Sequence, residues 1–76
     1  MEKDLVRYIT ENLVNHPEEI QIRSRRTRNS TVIQLSVAKS DMGRVIGRQG
    51  RVANAIRTLL KVAGQKSDTK IVLDID

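Results

Sequence analysis

Two glycines that bracket two polar residues form the segment of this chain best suited to bind an anion. In Gly47-Arg48-Gln49-Gly50, each glycine lets the backbone turn sharply and approach a ligand with no Cβ in the way. A helix is predicted to begin at about Arg51, and its first N–H groups have no partner inside the helix. A phosphate at this loop would meet those N–H groups and the side chains of Arg48 and Arg51, and Gln49 adds a neutral donor. The segment therefore has the chemistry of an anion site.

Other glycine-based nucleotide motifs do not fit this sequence. The P-loop needs Gly-x-x-x-x-Gly-Lys followed by Ser or Thr, and no such run occurs. The dinucleotide fingerprint Gly-x-Gly-x-x-Gly fails because Gly43, Gly47 and Gly50 have the wrong first spacing. Two interpretations of the glycines stay open: a loop that clamps the backbone of a nucleic acid, and a tight helix–helix turn with no ligand.

No group of residues in the sequence forms a recognisable catalytic centre or metal site. His16, the only histidine, precedes Pro17 at a predicted helix end, where a cap or a surface position is expected. Asp74 and Asp76 lie at the chain terminus without a histidine or metal partner. The absence of cysteine excludes disulfides, thiolate metal sites and thiol catalysis. We expect a protein that is not an enzyme and that needs no cofactor and no metal.

Charge and composition favour a polyanionic partner. The 76 residues carry a formal net charge of +5, and the sequence pI is about 10.3. Tyr8 is the only aromatic residue, so bases cannot stack on a row of rings as they do on RRM surfaces. A nucleic-acid binder of this composition must use backbone, arginine and aliphatic contacts.

Nothing in the sequence directs the chain to a membrane. No apolar run approaches the ~20 residues of a membrane-spanning helix. The first four residues, Met1-Glu2-Lys3-Asp4, do not resemble a signal peptide. A cytoplasmic location is therefore expected.

Hydrophobic periodicity predicts six elements in the order α-β-β-α-α-β. The predicted helices cover residues 3–15, 42–46 and 51–63, and the predicted strands cover residues 18–28, 31–38 and 70–75. Each strand has one apolar face, so the helices should cover one side of a three-stranded sheet. The first two strands should form an antiparallel hairpin, and the helical crossover permits parallel pairing of the last strand with residues 31–38. The class is α+β, with a single domain over residues 1–76.

The boundaries rest on turn and cap signals. Asn15-His16-Pro17 is predicted to end the first helix, Ser40-Asp41 to cap the second, and Gly64 to stop the third. In the first helix, the predicted apolar stripe is Leu5, Ile9 and Leu13, flanked by Val6 and Tyr8. In the third helix, the predicted centre is Val52, Ile56, Leu59 and Ala63, widened by Ala55, Leu60 and Val62. The margins Leu60 and Val62 would either wrap the core or meet another subunit.

Four arginines form a second basic cluster at the predicted hairpin. Strand alternation places Arg23 and Arg25 on one face, and Arg26 and Arg28 on the other. The cluster is either an auxiliary phosphate contact or a charged edge that discourages pairing between sheets.

The residues beside the glycine loop complete the predicted binding site. Val45, Ile46 and Val52, together with the adjacent strand, are expected to form a narrow aliphatic groove for bases. The full predicted set consists of Arg44, Val45, Ile46, Gly47, Arg48, Gln49, Gly50, Arg51 and Val52.

Residues 45–60 resemble the core signature of KH domains, in which Val-Ile-Gly-x-x-Gly precedes apolar residues at helical spacing. The element order is similar to the type II, bacterial arrangement of that fold. The likeness covers nearly the whole chain, including Lys3-Asp4-Leu5-Val6 and His16-Pro17-Glu18-Glu19, and is strongest to the small stand-alone KH proteins of bacteria, the KhpA group.

The resemblance implies a function and a set of partners. In KH domains this loop clamps the backbone of about four nucleotides, so Gly47-Arg48-Gln49-Gly50 would hold single-stranded RNA. The resemblance also implies an RNA chaperone or post-transcriptional regulator. It further implies a homodimer, or a heterodimer with a larger KH-containing protein of the KhpB/Jag type. The alternative is a KH-fold interaction and dimerisation module that acts as an adaptor for a larger RNA-binding partner.

Overall fold

Helices and strands follow one another in the predicted order in the computed structural model, which describes residues 2–76, with side chains from Lys3 onward. The helices are α1 (Glu2–Glu11), α2 (Met42–Ile46) and α3 (Arg51–Lys66), and the strands are β1 (Gln21–Arg26), β2 (Ser30–Ser36) and β3 (Lys70–Ile75). Short 3₁₀ turns occupy Pro17–Glu19, Lys39–Asp41 and Arg48–Gly50. The α+β class is confirmed. Met1, the first residue of the predicted domain, lies outside the described residues.

β2 is the central strand of a three-stranded mixed sheet, as predicted. The strand order is β1-β2-β3. β1 runs antiparallel to β2 and β3 runs parallel to it, so that Ile33 of β2 lies opposite Ser24 and Leu73. The hairpin turn is closed by the N–H of Thr27, which donates to the carbonyl of Ser30 at 2.8 Å. β1 and β3 are therefore the two edges of the sheet.

The helices cover one face of this sheet and bury an aliphatic core. α1 packs on β1, and α3 packs on both α2 and β3. The core cluster consists of Val6, Ile20, Ile33, Leu35, Val45, Ile56, Leu60 and Leu73. Complete burial of one such side chain stabilises the fold by roughly 1.5–3 kcal/mol, which allows a chain without Phe or Trp to build a core. No helix in the described part of the chain is long and apolar enough to cross a bilayer.

The buried side of α1 differs from the predicted stripe. Val6 and Thr10 are fully buried, whereas Tyr8 is 69% exposed. Val6 and Tyr8 lie two residues apart, which places them on opposite sides of a helix. Thr10 is accepted in the core because its hydroxyl donates to the carbonyl of Val6 at 2.7 Å.

α1 also ends at Glu11, earlier than predicted. The N–H groups of Asn12 and Leu13 bond three residues back, at 3.2 and 2.9 Å, which tightens the last turn into 3₁₀ geometry. β1 is also shorter than predicted, because Pro17–Glu19 forms a separate 3₁₀ turn before it. The predictions for residues 3–15 and 18–28 were therefore too long.

Asp41 does not cap α2 through its side chain, as Ser40-Asp41 was predicted to do. Its carboxylate is buried and accepts hydrogen bonds from the backbone N–H groups of Asn15 and His16, at 3.1 and 3.0 Å. Asp41 thus fixes the connection between α1 and β1 to the segment that leads into α2. Asp41 occupies the N-cap position of α2, as predicted, but its side chain forms no cap hydrogen bond because a tertiary contact uses both carboxylate oxygens.

α3 continues to Lys66, and Gly64 lies inside it instead of stopping it. A Cβ at Gly64 would overlap the carbonyl oxygen of Thr69, and the Thr69 N–H donates to the Gly64 carbonyl at 2.8 Å. Glycine at this position allows α3 to approach the start of β3 closely.

The buried stripe of α3 shares Ile56 with the predicted one, and its other three members lie one position later. It consists of Ala53, Ile56, Leu60 and Gly64. Leu60, predicted at the margin, is fully buried, whereas Leu59 and Val62 are 51% and 49% exposed. The apolar residues cover a wide arc of this helix, so periodicity did not decide which of them face the sheet.

Candidate nucleic-acid interface

The loop of residues 47–50 has a backbone conformation that few residue types can adopt. Gly47 has φ 78° and ψ 171°, a region that is essentially restricted to glycine. Gln49, with φ 58° and ψ 25°, and Gly50, with φ 75° and ψ 15°, are left-handed. A Cβ on Gly47 would also lie 2.8 Å from the backbone nitrogen of Val52. The first glycine is thus required by both conformation and packing.

This conformation leaves two adjacent N–H groups without a partner. Gly50 donates to the carbonyl of Gly47 at 3.1 Å, and Arg51 donates to the carbonyl of Arg48. Within residues 2–76, no hydrogen bond uses the N–H of Arg48 or Gln49. Successive N–H groups in a right-handed and then a left-handed conformation form a concave site for anions. The loop therefore presents donors of the kind that a phosphate oxygen accepts.

The electrostatic environment of the loop is purely cationic along the chain. The segment from Met42 to Lys66 contains six basic residues and no acidic one. Arg44, Arg48 and Arg51 are all exposed. None of their side chains forms an ion pair with any side chain of residues 3–76. The guanidinium groups are thus available for an external anion.

The aliphatic part of the predicted site is not assembled as expected. Val45 is completely buried in the core, so it cannot contact a ligand and its assignment to the groove was wrong. Val52 is half-buried, packs against the core and faces Gly47. Ile46 is 37% exposed beside the loop and is the one predicted aliphatic contact with an exposed side chain.

A groove instead lies between α3 and the edge strand β3. Its volume is about 660 Å³, and it is lined by Arg57, Lys61, Gly64, Gln65, Asp68, Thr69, Lys70, Ile71, Val72 and Leu73. The lining combines an aliphatic wall on β3 with three basic side chains and one carboxylate. Such a surface can receive a base against aliphatic carbon while cations lie near its phosphate.

Hydrogen bonds connect Asn54, which lies near the loop, to this groove. A Cβ on Gly50 would lie 3.8 Å from Nδ2 of Asn54. Oδ1 of Asn54 accepts from the Arg57 guanidinium at 3.2 Å, and Nε of Arg57 donates to the carbonyl of Leu73 at 3.4 Å. The side of α3 that begins at the loop is therefore the side that faces β3.

Asn54, Arg57, Lys61 and Lys70 were absent from the site predicted from the sequence. The first three recur at spacings of three and four residues, which places them along one side of a helix. That polar stripe beside the apolar one was a usable signal. The stripe alone did not indicate that β3 lies next to these residues, because that position depends on the parallel pairing of β3 with β2.

One cluster in the described part of the chain has metal-ligand chemistry. His16, Glu18 and Glu19 place potential ligand atoms within 4.8 Å of one another, and His16 Nδ1 lies 3.5 Å from Glu18 Oε2. All three residues are exposed, His16 just before the Pro17–Glu19 turn and the two glutamates within it, and they contribute nothing to the loop or the groove.

Comparisons with known proteins agree with the resemblance seen in the sequence. The family model described as KhpA/KhpB, KH domain, matches residues 3–75. A protein named RNA-binding protein KhpA in Listeria monocytogenes is 51% identical over 96% of this chain and 96% of its own length. Proteins of the same name in Clostridium perfringens and Chlamydia caviae are 42% and 41% identical over 96% of this chain, and over 97% and 94% of their own lengths. The chain therefore belongs to the KhpA/KhpB family of KH-domain proteins.

Proposed function

We propose that this protein binds single-stranded RNA, with the RNA backbone on the 47–50 loop and bases in the groove between α3 and β3. The observation that carries the proposal is the pair of N–H groups at Arg48 and Gln49, which have no hydrogen-bond partner within residues 2–76. Three exposed arginines, Arg44, Arg48 and Arg51, lie in the loop or close to it in sequence. Backbone donors and guanidinium groups recognise the phosphate that every nucleotide shares. Such contacts give affinity with little dependence on base identity.

The groove supplies the second half of the mechanism. Ile71 is aliphatic and partly exposed in the groove, so it can cover the face of an unstacked base in place of an aromatic ring. Within residues 2–76, β3 pairs only with β2, so its outer edge offers backbone groups to a ligand. Arg57 already bonds to one of them, the carbonyl of Leu73. A base that donates to this carbonyl, with or without displacing Arg57, would be held beside the phosphate contacts.

The relatives support an RNA ligand, because the three proteins described above are each named as RNA-binding. A small basic domain that holds RNA without base-specific contacts suits the role of an RNA chaperone or post-transcriptional regulator in the cytoplasm. Neither the loop nor the groove contains a nucleophile with an adjacent base, so binding without catalysis is proposed.

The affinity for RNA should depend on salt in proportion to the phosphates engaged. If the loop and groove engage about two to four phosphates, log K should fall against log salt with a slope of roughly −1.4 to −2.8, because each neutralised phosphate of a single strand contributes about −0.7. Fluorescence anisotropy with a labelled RNA over a range of salt concentrations measures this slope. An affinity that does not change with salt would rule out phosphate recognition as the basis of binding.

A second candidate function is self-association or attachment to a partner protein. Ala55, Leu59 and Val62 are exposed and lie at spacings of four and three residues on the side of α3 away from the core. Exposed aliphatic side chains in a row favour a helix-to-helix contact. The same surface would serve a homodimer, or a heterodimer with a larger KH-containing protein of the KhpB/Jag type, in which this chain acts as an adaptor.

A further inference from the structure

The arginines of β1 lie on two different sides of the sheet. Arg23 is opposite Gln34 and Arg25 is opposite Val32. Ile33 and Leu35, which alternate with these β2 residues, are buried beneath the helices, so Gln34 and Val32 face the other way. Arg23 and Arg25 therefore lie on the open face of the sheet, which no helix of the described part of the chain covers.

The charge on this face is unevenly distributed. Residues 21–36 contain four arginines and no acidic residue, and all four arginines are exposed. Among the side chains of residues 3–76, none forms an ion pair with them. The carboxylates on this face, Asp74 and Asp76, belong to the other edge, and they line one groove together with Arg23, across Gln34 of β2. Arg25 lies farther along β1, opposite Val32 and outside that groove. A polyanion is attracted to the β1 side and repelled from the β3 side.

We propose that the open face along β1, centred on Arg23 and Arg25, is a second phosphate-binding surface for RNA. This inference rests on the proposed function and adds a second contact to it. The sheet separates Arg23 and Arg25 from the helices that carry the 47–50 loop, and the β3 carboxylates interrupt the path around that edge. The two surfaces therefore take two different segments of RNA, either distant parts of one strand or two strands.

Arginine suits such a surface because its planar guanidinium binds phosphate through two parallel hydrogen bonds. Two arginines that alternate on one strand face lie two residues apart, about 6.8 Å, and can contact separate phosphates. One domain that holds two segments at once raises the effective concentration of each near the other. Bringing two RNA segments together is thus a property of the monomer.

The test compares RNAs of two lengths on the variant Arg23→Gln/Arg25→Gln. The control, Lys3→Gln/Arg7→Gln, removes the same formal charge from α1. An RNA of about four nucleotides, the length that a KH loop clamps, should bind the wild type and both variants with the same Kd. An RNA of about 20 nucleotides should bind Arg23→Gln/Arg25→Gln roughly tenfold more weakly at about 0.15 M salt, with a slope of log K against log salt reduced by about 1.4. Circular dichroism and sedimentation establish that fold and association are unchanged.

Several outcomes would overturn the second surface. Equal affinity of the long RNA for Arg23→Gln/Arg25→Gln and for the α1 control is one. Aggregation of the β1 variant with RNA affinity intact would assign the arginines to protection of the sheet edge. Tight binding of polyglutamate that requires Arg23 and Arg25, with no loss of long-RNA affinity, would assign the face to an acidic protein. If the short RNA fails to bind even the wild type, the loop-and-groove function fails, while dependence of long-RNA binding on Arg23 and Arg25 still supports the second surface.

Discussion

Replacing both Arg48 and Gln49 by aspartate should weaken RNA binding by a hundredfold or more while the fold survives. The change removes one guanidinium and places two carboxylates over the N–H groups that receive the phosphate. Juxtaposed like charges cost several kcal/mol, and about 2.8 kcal/mol corresponds to a hundredfold in Kd. Aspartate is compatible with the left-handed backbone of residue 49, and both side chains are exposed, so stability should change little.

A matched control separates this local effect from the loss of net charge. Lys39→Asp/Ser40→Asp changes the formal charge by the same amount at two adjacent exposed residues of another 3₁₀ turn. Its RNA affinity should fall far less. If both double variants bind a short RNA equally well, the loop is not the clamp.

A second double variant, measured in the same way, distinguishes RNA binding from self-association. Leu59→Ser/Val62→Ser should keep the affinity for a short RNA, since those side chains lie away from the groove, but should reduce any dimer seen by sedimentation. The aspartate variant at Arg48 and Gln49 should show the opposite pattern. If Leu59→Ser/Val62→Ser loses short-RNA binding, the exposed side of α3 and the groove are parts of a single RNA-binding site.

Gly47→Ala should destabilise the protein far more than Gly50→Ala. At Gly47 a side chain is forced into a backbone region reserved for glycine, at roughly 1–3 kcal/mol. Its Cβ would also meet the Val52 side chain and backbone, and overpacking adds typically 1–3 kcal/mol. At Gly50 the nearest atom is Asn54 Nδ2 at 3.8 Å, so the cost reduces to the left-handed backbone, about 1–2 kcal/mol.

Urea unfolding followed by circular dichroism measures this difference. A domain of this size has a total stability of only about 4–11 kcal/mol, so Gly47→Ala should lower the unfolding midpoint strongly or prevent folding. Gly50→Ala should remain folded with a modest loss. Equal midpoints for the two variants would show that contact with Val52 does not fix the loop.

The sequence alone was sufficient to predict the features that depend on patterns within a few residues. The alternation of Ile33 and Leu35, the glycines around Arg48 and Gln49, and the apolar final strand each act over a few residues. They predicted the order of elements, the hairpin, the parallel pairing of the last strand and the position of the loop correctly. A resemblance to KH domains strengthened that prediction, and the family match confirmed it.

The features that sequence reasoning missed depend on contacts between distant residues. Asp41 acts on Asn15 and His16, which lie more than twenty positions away, so neither the early end of α1 nor the lost cap was visible. Gly64 was predicted to stop α3, but glycine is needed there because a Cβ would overlap the carbonyl oxygen of Thr69.

The groove was misplaced for the same reason. Val45 and Ile46 are adjacent to the loop in sequence, but α2 turns Val45 into the core. The groove is formed by α3 and β3, and which side of α3 faces β3 depends on the tertiary packing of Leu60 and Leu73.

The most direct measurement is a titration of isotope-labelled protein with a short single-stranded RNA, with every backbone amide followed by NMR. If RNA binds at the loop and the groove, the largest shifts should occur at Arg48 and Gln49, whose N–H groups would gain a phosphate partner. Smaller shifts should follow along residues 54–61 of α3 and residues 71–73 of β3. Shifts confined to α1 or to the side of α3 that bears Leu59 and Val62, with Arg48 and Gln49 unmoved, would contradict RNA binding at this loop.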